Sequence, residues 1–170
     1  MNQKTAVMWI LGGLSLYAAL SGKRFLRVLR PFLAYWEQFR PTPYWDVRQW
    51  SWGYGTRVPG SVNDPYKRPV GTITESAAMA ALDKYATKDW DYLRALIKTP
   101  LRPESWAGLL SFSYNLGPGN ADNLVPNINT RNWTALETQW KKYIYVNDVA
   151  SAHAIERRAA EWKLFKSGLL

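Results

Sequence analysis

The chain has 170 residues, enough for one compact domain with a sizeable core. It contains no cysteine and a single histidine, His153, so neither disulfides nor a metal site is expected, and no cofactor is expected either. Its net charge of +9 favours anionic partners, but no nucleic-acid-binding motif is visible and nucleic acid is not expected as a partner.

The first predicted element is an apolar segment at residues 5–22, TAVMWILGGLSLYAALSG, flanked by Lys4 and by Lys23 and Arg24. A helix of this length spans about 27 Å, slightly less than a hydrocarbon core of about 30 Å. Its glycines and alanines lower the hydrophobicity further. We therefore predict a marginal membrane anchor, with a cleaved signal peptide and a buried core helix as alternatives.

Basic residues are concentrated around this segment. Residues 1–30 contain five basic side chains and no acid, which gives +5 of the total net charge: Lys4, Lys23, Arg24, Arg27 and Arg30. Such a cluster beside an apolar segment favours anionic lipid headgroups and anionic envelope polymers as partners. The positive-inside bias would keep the Lys23–Arg30 side in the cytoplasm.

A helix is predicted to begin at Pro31, since proline is accepted in a first helical turn. It carries an apolar run and ends at Glu37, and Pro41 and Pro43 stop it. A small hairpin is expected over residues 44–58.

The remaining elements are mainly helical. Proline and glycine predict a loop over 59–72, and Thr74 can cap the next helix through its hydroxyl. Further along the chain we expect helices at 74–97, 104–116, 133–143 and 151–166, a polar loop over 120–131, and a turn at Asn147 and Asp148. The sequence therefore predicts a mainly helical α+β fold with a cleft between a helical lobe and a small hairpin lobe.

Two carboxylates flank the start of the hairpin. Glu37 leaves a partly desolvated helix end, where burial favours the neutral, proton-donating form, whereas Asp46 follows a proline-rich connector and should stay ionised. An aromatic, glycine-rich hairpin follows them directly. Two acids of unlike protonation beside an aromatic cleft are typical of glycoside hydrolysis.

Ordered motifs extend this pattern over about residues 31 to 166. They are the two acids, the Gly-Tyr-Gly turn at 53–55, ITESAAMAAL (73–82), SFSYNLGPG (111–119) and ERRAAEWKLF (156–165). In this order they resemble the phage-type lysozymes and endolysins of glycoside hydrolase family 24. Residues 5–22 resemble the signal-anchor-release segments of some of those endolysins. The resemblance implies a two-lobed lysozyme-like fold and cleavage of the β-1,4 bond between N-acetylmuramic acid and N-acetylglucosamine in peptidoglycan.

The resemblance also implies catalytic roles. Glu37 would protonate the leaving oxygen, and Asp46 would orient and activate water on the opposite sugar face. The family usually has a threonine after five intervening residues, where this chain has Trp52. The simplest interpretation is a hairpin one residue shorter, with Ser51 in place of that threonine.

Five residues are predicted to bind substrate: Trp45, Trp52, Tyr54, Asn115 and Arg157. All but Tyr54 have a structural alternative. The tryptophans suit the core of a half-buried hairpin, Asn115 suits a loop tie, and Arg157 suits either a solvated helix face or a contact that positions Glu37.

The expected organisation is an anchor and basic linker at residues 1–30 and a catalytic domain at 31–170. The protein would be membrane-associated and act in the periplasm or cell wall of a bacterial host during phage lysis. Carriage in a virion, as a murein-degrading enzyme for genome delivery, is an alternative. A lytic transglycosylase is a second alternative, and a non-enzymatic cationic membrane-binding protein on the same scaffold is a third.

Overall fold

Helices make up most of the chain, and short antiparallel strands form the rest of its regular structure. The computed structural model describes residues 24–146 and 149–169. The predicted mainly helical α+β class is confirmed. In chain order the elements are α1 (Arg24–Glu37), β1 (Arg40–Asp46), β2 (Gln49–Gly53), β3 (Thr56–Arg57), α2 (Glu75–Leu96), α3 (Pro103–Leu116), α4 (Pro118–Asp122), α5 (Val125–Asn129), α6 (Trp133–Trp140), β4 (Tyr145–Val146), β5 (Val149–Ala150) and α7 (Ala152–Ser167).

Helix α1 contains Pro31 instead of beginning there, so the predicted helix start is wrong. The proline lies on the exposed side of the helix. Apolar residues at helical spacing continue through it, and four are buried in the core: Phe25, Leu26, Leu29 and Leu33. Burial of this stripe outweighs the hydrogen bond that proline removes. Three of these core residues precede position 31, so the compact fold includes part of the predicted linker.

Helix α3 is the centre of the core and packs closely against α7. A Cβ added at Gly108 would lie 2.7 Å from the carbonyl oxygen of Glu161 and from the amide nitrogen of Phe165. Only glycine permits this approach of the two backbones. The close contact brings the side chains of α7 against the C-terminal half of α3, where the candidate site lies.

The three-stranded sheet has the order β1-β2-β3, and each neighbouring pair is antiparallel. Strand β1 begins at Arg40, earlier than the predicted hairpin, because Pro41 and Pro43 lie on an edge strand that tolerates missing N–H groups. A bulge interrupts the register between Arg40 and Tyr44. The sheet rests on α2 at Gly53, where a Cβ would meet Ala78 at 2.7 Å.

Among the later helices, one sequence prediction is confirmed and another is wrong. The predicted cap of α2 is confirmed, since the hydroxyl of Thr74 accepts from the amide of Ala77 at 3.2 Å. The predicted loop over 120–131 is wrong, because it contains parts of α4 and α5. Ala121, Leu124 and Ile128 are buried at helical spacing within an otherwise polar sequence.

A short hairpin of β4 and β5 precedes α7 and was not predicted. The predicted turn at Asn147 and Asp148 lies outside the described residues, as does the apolar segment 5–22. Over residues 24–146 and 149–169, no helix combines the length and the apolar character that crossing a membrane would require.

Candidate active site

Glu37 is the last residue of α1, and its side chain is 17% exposed. Its Oε1 accepts a hydrogen bond from Nη2 of Arg157 at 2.7 Å, a contact that joins residues 120 positions apart. Its Oε2 faces the hairpin, since a Cβ added at Gly55 would lie 3.1 Å from that oxygen. One carboxylate oxygen is thus held by the helical lobe, and the other faces the small lobe.

The two arginines of α7 are buried, and each has a second partner besides Glu161 of the same helix. Arg157, 3% exposed, also donates to Glu161 within α7. Arg158 donates to Oδ1 of Asn115 at 2.7 Å. The structure therefore places Arg157 against the candidate acid and assigns Asn115 a contact that ties the end of α3 to α7.

Asp46 and Ser51 lie on one face of the sheet. Tyr44 pairs with Ser51 and Asp46 pairs with Gln49, so all four side chains share a face by the alternation of a strand. The hydroxyl of Ser51 points to Oδ2 of Asp46 at 3.5 Å and accepts from Nε2 of Gln49 at 3.1 Å. A two-residue turn at positions 47 and 48 thus brings the predicted pair together. Asp46 is exposed, whereas Ser51 is fully buried.

Two tyrosines lie within electrostatic range of the carboxylates. Burial raises the pKa of Tyr44, and the charges of Asp46 and Glu37 raise it further, while Arg40 opposes them. Burial also raises the pKa of Tyr114 strongly, with Glu37 as the next cause. A Cβ added at Gly55 would lie 3.1 Å from Oε2 of Glu37 and 3.9 Å from the hydroxyl of Tyr44, so Tyr44 lies beside Glu37 on the strand face that carries Asp46.

A cleft of about 270 Å³ opens between the sheet and the helices. Gly55, which faces Glu37, and Gln49, which shares the face of Asp46, both line it. Asp89 of α2 lines the opposite side and accepts from the hydroxyl of Ser113 at 2.6 Å. Burial raises the pKa of Asp89, against the effects of Ser113 and Lys88. The remaining lining residues are Thr56, Arg57, Tyr85, Tyr114 and Pro118.

The three aromatic residues predicted to bind substrate are not among the residues that line this cleft. Trp45 pairs with Trp50 across the strands, on the face opposite to Asp46, and the two rings meet edge to face at 5.5 Å. Trp52 shares that opposite face by alternation. Tyr54 is only 3% exposed, and its hydroxyl donates to Glu75. The contacts of Trp45 and Tyr54 are those expected for packing residues, and a role in substrate binding for Trp45, Trp52 and Tyr54 stays a prediction.

Sequence reasoning missed Asp89, Ser113 and Tyr114. A signal was present, because Tyr85 and Asp89 are four residues apart on one helix face and both line the cleft. Which face of α2 meets the hairpin depends on tertiary packing, which the local pattern does not specify.

Comparisons with known proteins show the family and the fold of this chain. The phage lysozyme family model matches residues 34–161. No curated protein matches the chain in sequence.

Three solved structures are similar. The muramidase domain of SpmX from Asticaccaulis excentricus is 22% identical with a TM-score of 0.70, and the match covers 82% of this chain and 95% of that one. The endolysin from Escherichia coli O157:H7 phage FAHEc1 is 21% identical with a TM-score of 0.68, covering 86% and 93%. A mutant P22 lysozyme is 21% identical with a TM-score of 0.65, covering 79% and 92%. At these identities the likeness establishes the shared fold.

Proposed function

We propose, from the premise that this chain belongs to the phage lysozyme family and is a peptidoglycan-cleaving glycoside hydrolase, that Glu37 is its catalytic acid. The observation that carries this assignment is the position of Glu37 directly behind Gly55, a residue that lines the cleft, with Oε1 held by Arg157 and Oε2 facing Gly55. Oε2, which is not bound by Arg157, is the oxygen that would carry the proton to the leaving oxygen of the β-1,4 bond.

Asp46 acts from the other side of the sugar in this proposal. Its exposed carboxylate, beside the hydroxyl of Ser51 at 3.5 Å, would orient and activate the attacking water. Tyr44 shares the strand face of Asp46, and its hydroxyl lies beside Gly55, as Oε2 of Glu37 does. A sugar ring bound there would lie between the two carboxyl groups. Asp89 and Ser113 would accept and donate hydrogen bonds to the glycan along the same cleft.

The test is mass spectrometry of purified peptidoglycan after digestion with the full chain. Wild type should release muropeptides with reducing ends, and Glu37→Gln should lose at least about 100-fold in rate, as expected for the loss of a general acid. Glu156→Gln, an exposed glutamate on α7, is the matched control and should retain activity. Products with 1,6-anhydro ends would instead identify a transglycosylase, and an active Glu37→Gln enzyme would refute the assignment of the acid.

A second part of the proposal concerns location. An open groove of about 710 Å³ lies at the end of α1 that follows the apolar segment, and its charged lining residues are three arginines and one glutamate: Arg24, Arg27, Arg102 and Glu104. This positive groove favours binding to anionic lipid headgroups, and together with residues 5–22 it would place the enzyme at a membrane beside the cell wall. The division of the chain at residues 30 and 31 stays a prediction. Other anionic envelope polymers are possible ligands of the same groove.

Vesicle sedimentation of the full chain tests the groove. Phosphatidylglycerol vesicles should bind the Arg24→Gln, Arg27→Gln double variant less strongly than wild type, and phosphatidylcholine vesicles should bind both equally. A double variant at Arg48 and Arg68, which are exposed at the three-stranded sheet and away from the groove, controls for net charge. Equal loss of binding in both double variants would mean that total charge, and not the groove, attracts the lipid.

A further inference from the structure

A buried carboxylate lies directly behind the proposed acid. Glu161 of α7 is fully buried. Its Oε1 accepts from Nε of Arg157 at 3.1 Å, Nη2 of Arg158 at 3.2 Å and Oγ of Ser111 at 2.8 Å. Its Oε2 lies 3.1 Å from Nε of Arg158, an ion-pair contact whose angle is too poor for a hydrogen bond. Both oxygens face guanidinium groups, which is the environment of an ionised carboxylate.

Glu161 and Glu37 share one guanidinium group. Arg157 donates from Nε to Glu161 and from Nη2 to Glu37, and its side chain is only 4% exposed. The planar guanidinium fixes the angle between these two donors. The position of Glu161 therefore determines where Nη2 meets the carboxylate of Glu37.

The charges in this cluster are coupled. Burial raises the pKa of Glu161, and Arg158, Arg157 and the Ser111 hydroxyl oppose that effect. Burial lowers the pKa of Arg158 to about 10, against the attraction of Glu161 and of Glu37. Arg158 stays protonated at neutral pH, so two cations share Glu161 and Glu37 as their anionic partners within the cluster.

We propose that Glu161 is a positioning residue for the catalytic acid, an inference that rests on the role proposed for Glu37. It holds Arg157 so that Nη2 binds Oε1 of Glu37 and Oε2 stays directed toward Gly55. Its charge also offsets the two guanidinium groups. Without that charge the arginines would favour the ionised form of Glu37, which has no proton to donate.

A pH–rate profile of the full chain tests this inference. The charged or titratable groups facing Glu37 are Arg157 and Arg158 of α7, Tyr44 of β1 and Tyr114 of α3. Glu161→Gln leaves all of them in place and preserves side-chain volume. We expect kcat to fall with little change in KM, and the basic limb of the profile to move about one pH unit toward acid, a tenfold change in the ionisation equilibrium. An unmoved limb with unchanged kcat would overturn the proposal.

Arg158→Met should shift the basic limb of the pH–rate profile in the opposite direction. It also keeps the proposal testable if Glu161→Gln does not fold. Removing one cation leaves Glu161 to neutralise Arg157 more fully, so the basic limb should move toward higher pH. A purely structural role for this cluster would move neither limb. Ser105→Ala is the matched control, because Ser105 is a fully buried hydroxyl at the same α3–α7 contact, bonded to the carbonyl oxygen of Phe165. It should lower the Tm without moving either limb.

Parallel assays of Glu37→Gln distinguish failure of the proposed role of Glu37 from failure of the proposed role of Glu161. An active Glu37→Gln enzyme would refute the role of the acid itself. An inactive Glu37→Gln enzyme together with an unmoved limb in Glu161→Gln and Arg158→Met would refute only the role of Glu161.

Discussion

The two walls of the cleft are built in different ways. On the helical wall, the side chain of Glu37 is 17% exposed, and its guanidinium partner and the glutamate behind it are both buried. On the sheet wall, Asp46 is exposed at the end of an edge strand, and a single 3.5 Å contact joins it to Ser51. The acid is therefore held by long-range packing, whereas the residue proposed to activate water is held by local strand register.

This difference suits the two chemical steps. A proton donor must be held in one orientation with little surrounding water, and buried charged hydrogen bonds provide that. A carboxylate that activates water must stay accessible to solvent and ionised. The structure of each wall thus matches the role proposed for its carboxylate.

Asp46→Asn is the strongest test of the difference between the two walls. If the sheet wall supplies only water activation, this change should reduce kcat by about 10²- to 10⁴-fold, the range for loss of a general base. Because Asp46 is exposed, the Tm should change little. Assays of kcat beside a thermal melt measure both. A large fall in Tm would show that Asp46 holds the sheet together, which the comparison does not allow.

Gly55→Ala tests the place where the two walls meet. Gly55 has a φ of 79°, and a Cβ there would lie 3.1 Å from Oε2 of Glu37. The left-handed backbone alone costs an alanine roughly 1–2 kcal/mol. Displacement of the acid should additionally reduce kcat by about tenfold or more, equivalent to about 1.4 kcal/mol in the barrier.

Gly60→Ala is the matched control for that experiment. Gly60 has a φ of 71°, and a Cβ there would meet nothing within 4 Å. Both variants should lose similar stability, and only Gly55→Ala should lose activity. Equal activities would mean that Oε2 tolerates the methyl group and is not the reacting oxygen.

The elements that sequence reasoning predicted are those specified by nearby residues. The two acids, the cap at Thr74 and the apolar spacing of α3 and α7 all depend on residues within a few turns. The pairing of Glu37 with Arg157 could be offered only as one alternative, because 120 residues separate them. No local signal relates the end of α1 to a particular side of α7.

The strand face on which Trp45 and Trp52 lie was open for a more local reason. Val47 adopts a φ of 50° in the turn, a conformation that β-branched residues rarely adopt. The position of the turn could therefore not be predicted from the glycine and asparagine residues that usually form such turns. Without its position the strand register stays open, and a shift of one residue exchanges the two faces of a strand. Once the turn is fixed at positions 47 and 48, Asp46 and Trp45 must lie on opposite faces.

Ser51→Ala tests how much the sheet wall depends on the hydroxyl that contacts both Asp46 and Gln49. The hydroxyl is fully buried and reaches Asp46 at a distance long for O–H···O geometry. We expect kcat to fall by about tenfold or less, since a neutral contact of this kind is worth ~1 kcal/mol. A rate loss as large as that of Asp46→Asn would show that the serine itself holds the water.

Asp89→Asn has the smallest expected effect on rate and adds a pH dependence. Loss of one glycan contact should raise KM about threefold, within the ~0.5–1.5 kcal/mol of a single hydrogen bond. Because burial raises the pKa of Asp89 above its ordinary value of 3.8, the folded state holds that proton more tightly than the unfolded state does. The stabilising contribution is thus present below pH 3.8 and is lost as the pH rises through the raised pKa.

Asparagine stays neutral, so Asp89→Asn should have a higher Tm than wild type at pH 7 and a smaller difference at pH 3. Thermal melts at the two pH values measure this. Asp91→Asn is the control, because Asp91 lies on the same helix with a side chain 63% exposed. A gain in Tm that is equal at both pH values, or equal in the control, would mean that ionisation of the buried Asp89 carboxylate is not its cause. A gain only at pH 7 would mean that the helical wall keeps a destabilising carboxylate beside the proposed glycan path, as expected for a group retained for binding.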